Sequence, residues 1–178
     1  MISSRTLPKD RPAFAPPDGE DLLELASNLR SADRAELYIA TLGLSAIRAI
    51  ELAVRSSDHT LAARLDGRLV AVFGIRADSL LDRTAIVWAL GTREIDRLPR
   101  PFIRWSPRAL RVLSSALPWA DRLTNSVWSL NTPARRWLAW LGAGFGTPYA
   151  AAPVPPFQSA ETTFIPFTIE RSELCAHP

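Results

Sequence analysis

The sequence predicts one mixed α/β domain, with a central, mostly antiparallel sheet flanked by helices. Three observations carry this. Period-two runs on both sides of Asp66-Gly67 mark a β-hairpin. Five stretches repeat apolar residues at helical spacing behind residues that cap helices. After residue 84 the pattern alternates strand, helix, strand, helix, strand, which calls for one parallel crossover in the sheet. A chain of 178 residues suits a single domain with terminal extensions. The reading is an extended N-terminal arm over residues 1–17, the domain over 18–170, and a tail over 171–178.

The elements follow in order. Residues 1–17 hold Pro12, Pro16 and Pro17 and read as an arm. A helix over 19–29 places Leu22, Leu25 and Leu29 on one face. A second, over 32–42, has Ser31 as its cap and Gly43 as its stop. A third, over 46–55, aligns Ile47, Ile50 and Val54 behind Ser45. Strands over 60–65 and 68–75 flank the Asp-Gly turn. The run over 84–90 is β-branched and aromatic without alternation, so it belongs at the buried centre of the sheet. Residues 91–105 contain Pro99 and Pro101 and read as loop. Ser106-Pro107 then opens a helix with Leu110, Leu113 and Leu117 on its face. A strand over 125–130 precedes Asn131-Thr132-Pro133, a second cap-then-proline entry, and a helix to Leu141. An apolar, Pro-rich loop covers 147–160. A last strand over 162–169 contains Pro166, which argues for an edge position or a bulge.

Composition excludes several classes. A single cysteine, Cys175, rules out an intramolecular disulfide framework, and two histidines argue against a multi-histidine metal centre. Residues 137–160 lack charge, but glycines and prolines break the run, so no membrane span is expected. There is no charged-then-apolar secretory start. Gly-x-Ser-x-Gly, the Walker loop and His-Glu-x-x-His are all absent. The six tryptophans fall between residues 88 and 140 and read first as core. The net charge of +3 is uneven. Residues 93–136 hold nine arginines against Glu94, Asp96 and Asp121, a surplus of six. Such a block suits phosphates or an acidic face. With no regular basic-aromatic platform, nucleic acid is not the expected partner.

The segment over 125–145 resembles the GNAT acyltransferases. Val127-Trp128 stands in the strand, Asn131 and Ala134 follow, and Leu141-Gly142 closes the helix; Phe145 comes two positions later than that family usually has it. A narrower resemblance, over about residues 30–150, is to the small internal virion (head morphogenesis) proteins of short-tailed coliphage-type viruses. It is carried by Asp66-Gly67, Phe73-Gly74, the run from Trp88 to Thr92, Phe102, Arg104, Ser106, Asn125, Asn131 and the run from Arg136 to Gly142. The resemblance implies a virion-associated assembly protein. It would contact other virion proteins and reside in the virion, or in the host cytoplasm during assembly.

Two departures bear on chemistry. GNAT enzymes cradle the pyrophosphate of acetyl-CoA on the amides of a Gly-rich loop opening a helix. Residues 92–105 contain no glycine, and two prolines there remove N–H donors. The family's usual acid, a Tyr seven residues after the Asn, is Leu138 here. The expected role is therefore a catalytically degenerate fold used as a protein-binding scaffold, with no cofactor. The alternative is an acetyl-CoA-dependent N-acetyltransferase. Its candidate base is Glu94 or Asp96, and its candidate cofactor contacts are Thr92, Arg93, Arg97 and Asn131, with Arg100 and Arg104 as further phosphate ligands. Candidate partner contacts are Tyr149, Val154, Phe157 and Trp140, and no metal ligand is expected.

Overall fold

The structure, a computed structural model, describes residues 12–176. Its sheet is built from β1 (Ala13–Ala15), β2 (His59–Leu65), β3 (Arg68–Ser79), β4 (Thr84–Gly91), β5 (Arg122–Trp128), β6 (Gly144–Phe145), β7 (Tyr149–Ala150) and β8 (Thr163–Glu170). The strand order is β1-β2-β3-β4-β5-β8-β6, with β7 also on β8. Only β4 and β5 run parallel, among the described residues. Asp66 and Gly67 both take positive φ, 50° and 79°, which is the backbone a tight primed hairpin turn demands.

Helices cover both faces. On one lie α1 (Gly19–Asn28), α2 (Ser31–Ala40) and α3 (Ala46–Arg55). Asp18 and Asp21 cap α1 reciprocally, each accepting from the other's backbone N–H at 2.9 Å, and Asp21 also pairs with Arg64. Leu25, Leu29 and Ile50 meet Leu69, Val72 and Leu90 of the sheet there. On the other face lie α4 (Glu94–Arg97), α5 (Pro99–Ser114), α6 (Thr132–Trp140) and α7 (Glu173–Ala176). Trp105 is the hub of that core, with Phe14, Phe73 and Phe102 around its ring at 5.2–6.2 Å.

Several expectations change. Residues 1–11 of the expected arm lie outside the described residues, but Ala13–Ala15 is an edge strand on β2. It is held there by Phe14 against Trp105 and by Arg108, whose guanidinium lies 5.9 Å from the Phe14 ring. The tail folds back as α7 and buries Leu174 completely.

The largest correction is to residues 91–105, which are not loop. They form α4 and the first turns of α5. Pro99 and Pro101 occupy the first turn, where backbone N–H groups have no helical acceptor anyway. Pro107 is not a helix start but lies inside α5. Its missing N–H leaves the Ile103 carbonyl unclaimed, and the Ser106 hydroxyl donates to it at 3.3 Å.

Pro166 sits neither on an outer edge nor at a bulge. It faces the gap between β6, which pairs with residues 167–168, and β7, which pairs with 163–164. No neighbouring ladder needs its N–H there.

Candidate functional site

β4 and β5 pair only over residues 84–86 and 122–124, and then diverge. A cavity of about 930 Å³ opens between them, walled by α2, α5 and α6. The divergence is bridged at two levels. Near its apex the Asn125 side chain donates to the Val87 carbonyl at 2.8 Å. At its open end Asp33 of α2 accepts from the Gly91 N–H at 2.9 Å and from Asn131 at 3.2 Å. Arg30 grips the same Asp33 carboxylate with two bonds, at 3.0 and 2.6 Å, and its own backbone N–H donates to the Gly91 carbonyl. Peptide groups alternate sides along a strand, so Val87, Ala89 and Gly91 all turn theirs toward the cavity. The Val87 carbonyl and both Gly91 groups are therefore already bonded.

Asn131 does three things. Its Oδ1 accepts from the Ala134 N–H at 3.3 Å and caps α6, while its Nδ2 donates to Asp33 and, at 2.6 Å, to Glu36. The Glu36 carboxyl is pushed up to about 7. Burial is the main cause and the Asp33 charge adds to it; the Asn131 amide, the Trp128 N–H and the Arg30 charge oppose it. A carboxyl near neutrality inside a cavity is placed to exchange a proton with a bound group. Phe102, Trp137, Phe164 and Phe167 supply apolar wall.

The expected site residues scatter. Asn131 and Asp96 line the cavity. Thr92 is buried, and its hydroxyl donates to the Leu69 carbonyl and accepts from the Glu94 N–H. Glu94 lies outside the cavity lining and pairs with Arg97 at 2.6 Å and Arg68 at 3.8 Å. Arg93, Arg97, Arg100 and Arg104 also lie outside the lining, and all four are exposed. Tyr149 and Trp140 lie at the cavity rim, 48% and 42% exposed. Val154 and Phe157 turn inward, onto Ile39, Trp128 and Phe164. Their loop is tied down by the Tyr38 hydroxyl, which donates to the Pro155 carbonyl at 2.9 Å. Among the described residues no cluster of His, Cys, Asp or Glu suits a metal ion, and no helix is long and apolar enough to cross a membrane.

Sequence reasoning missed Asp33 and Glu36. Their i, i+3 spacing puts both on one face of α2 together with Leu37 and Ala40. Two acids on an otherwise apolar helix face were the available signal.

No family model matches the chain, and no curated protein matches it. Solved structures do. A T. thermophilus protein provisionally named an acetyltransferase superposes with a TM-score of 0.70 at 12% identity, over 93% of this chain and 89% of that one. A GNAT-family acetyltransferase from Bacillus anthracis gives 0.65 at 11% identity, over 91% and 96%. The spermidine N-acetyltransferase of Vibrio cholerae, solved with CoA and spermine, gives 0.65 at 12%, over 93% and 98%. The chain has the GNAT acetyltransferase fold. Nothing in these comparisons links it to phage internal virion proteins.

Proposed function

We propose that this chain is a binding module built on a GNAT fold that has lost the family's coenzyme cradle, and that it acts by docking rather than by acyl transfer. The observation that carries this is the start of α5. Two of its first three residues are Pro99 and Pro101, so the turn that would offer amides to a pyrophosphate offers one. Asp96 adds negative charge at the cavity wall beside it. On the cavity side the Val87 carbonyl and both Gly91 groups are occupied by the protein's own side chains and backbone, which leaves the Ala89 peptide as the open one between them. These residues do not fit coenzyme A in the manner of the fold. A phage head-assembly role is the specific form of this reading implied by the sequence resemblance, and that resemblance alone supports it.

The test is thermal unfolding with and without millimolar acetyl-CoA or CoA. A micromolar site would add roughly 4 kcal/mol at a millimolar dose, or about 8–16 °C for a chain of this size. The docking reading expects no shift.

One observation favours a second reading, N-acyl transfer. Glu36 stands in the cavity with its carboxyl near neutrality, where it would accept a proton from an ammonium group. A coenzyme-dependent shift, with amine acetylation abolished by Glu36→Gln, would establish that reading and overturn the first.

A further inference from the structure

Extending α5 back to Pro99 changes what the arginine block is. As loop it has no geometry. As helix, Arg100, Arg104 and Arg108 follow one another at i, i+4 and i+8, so they form one row on the exposed face, about 6 Å apart along the axis. Arg100 and Arg104 make no hydrogen bond or ion pair among the described residues. Arg108 lies over the Phe14 ring, a contact that leaves its charge in place. The two acids that precede the row in sequence do not pair with it: Glu94 is bound to Arg97 and Arg68, and Asp96 lines the cavity.

We propose that this face of α5 docks on the phosphate backbone of duplex nucleic acid. Phosphates on one strand recur about every 3.4 Å of axis, and lie farther apart than that along the winding backbone, so successive guanidiniums of the row can meet successive phosphates. The row's composition favours this occupant over two others. An acidic protein surface would want a buried apolar or aromatic anchor at the centre of the contact. Here the exposed apolar residue on the row, Val112, sits at its far end. Single-stranded nucleic acid would want exposed rings for base stacking. The aromatics of α5, Phe102 and Trp105, are buried on the opposite side. Backbone contacts alone carry no base preference, so the binding is sequence-independent.

The experiment is fluorescence anisotropy of the full chain titrated onto a labelled random duplex of about 20 base pairs, at salt from about 50 to about 200 mM. Three phosphate contacts give a log–log salt slope near −2.7, which is about a 40-fold loss of affinity across that range. Substituting Arg100→Ala, Arg104→Ala and Arg108→Ala together should abolish the slope. Because the last change unseats Phe14, the pair Arg100→Gln with Arg104→Gln is measured alongside and should flatten the slope by about 1.8. A control with the same loss of charge on residues elsewhere, Arg48→Ala with Arg55→Ala and Arg76→Ala, should leave affinity within about twofold. Four results would each overturn the proposal: no binding at the lowest salt, equal loss in the control, tighter binding to single strands, or competition by polyglutamate as effective as by the duplex.

Discussion

Replacing Glu36 by Gln isolates the energetic consequence of the buried carboxyl. Folding raises that carboxyl from 4.5 to about 7. At about 1.4 kcal/mol per unit, the shift corresponds to about 3 kcal/mol, an upper bound because Glu36 keeps an edge toward the cavity. The sign follows from which state holds the proton. Between pH 4.5 and 7 the folded chain keeps it and the unfolded chain releases it, so this contribution is complete below 4.5, falls as pH rises, and is gone above 7. A glutamine amide in its place would carry no such charge and could still accept from Asn131. At pH 8 the Glu36→Gln variant should therefore be the more stable by up to about 3 kcal/mol, or about 6–12 °C, while near pH 4.5 the two proteins should nearly coincide. Denaturant unfolding of both proteins from pH 4.5 to 8.5 reads the difference directly. Parallel stability curves across that range would refute the buried-carboxyl account.

Asn131→Ala removes the α6 cap and the shared donor of two carboxyls, and should cost roughly 2–4 kcal/mol in denaturant unfolding. Asn131→Asp should lose more at pH 8 than at pH 5, because a third acid then faces Asp33 and Glu36. Gly74→Ala would place a methyl 2.2 Å from the Trp88 indole, whose N–H donates to Ser57. It should destabilise by roughly 1–3 kcal/mol and shift tryptophan emission. Trp105→Ala empties the hub of the α5-side core and should cost roughly 3–5 kcal/mol by the same unfolding measurement.

What was legible in the sequence was what local chemistry decides. Asp66-Gly67 specified its turn because few dipeptides tolerate two positive φ angles. Asn131 specified the start of α6 because its acceptor oxygen meets the Ala134 N–H only three residues away. Prolines were less decisive. Pro99, Pro101 and Pro107 each lack an N–H, but whether that breaks a helix depends on whether the turn needs the donor. At Pro107 it depends on a neighbouring hydroxyl. The site was not legible, since Asp33 and Glu36 meet Asn131 across separations of 98 and 95 residues. The loop over 147–160 illustrates a related limit. Val154 and Phe157 announce by type that they will be buried, but not that the surface burying them is the chain's own.

The brevity of the parallel ladder has a consequence for how the chain assembles. Three residue pairs join β4 to β5, while everything on either side is antiparallel and contiguous in sequence: β1 to β4 from residues 13–91, and β5 to β8 from 122–170. The molecule is thus two ribbons, the first built on the local hairpins of β2, β3 and β4 that form quickly and the second on the longer-range pairing of β5 with β8, with a seam that waits for α5 to cross over. A cut in the turn over residues 115–121 would leave both ribbons and the whole of α5 intact. Reunion of the two pieces would then have to rebuild the seam, and with it the cavity that lies along it.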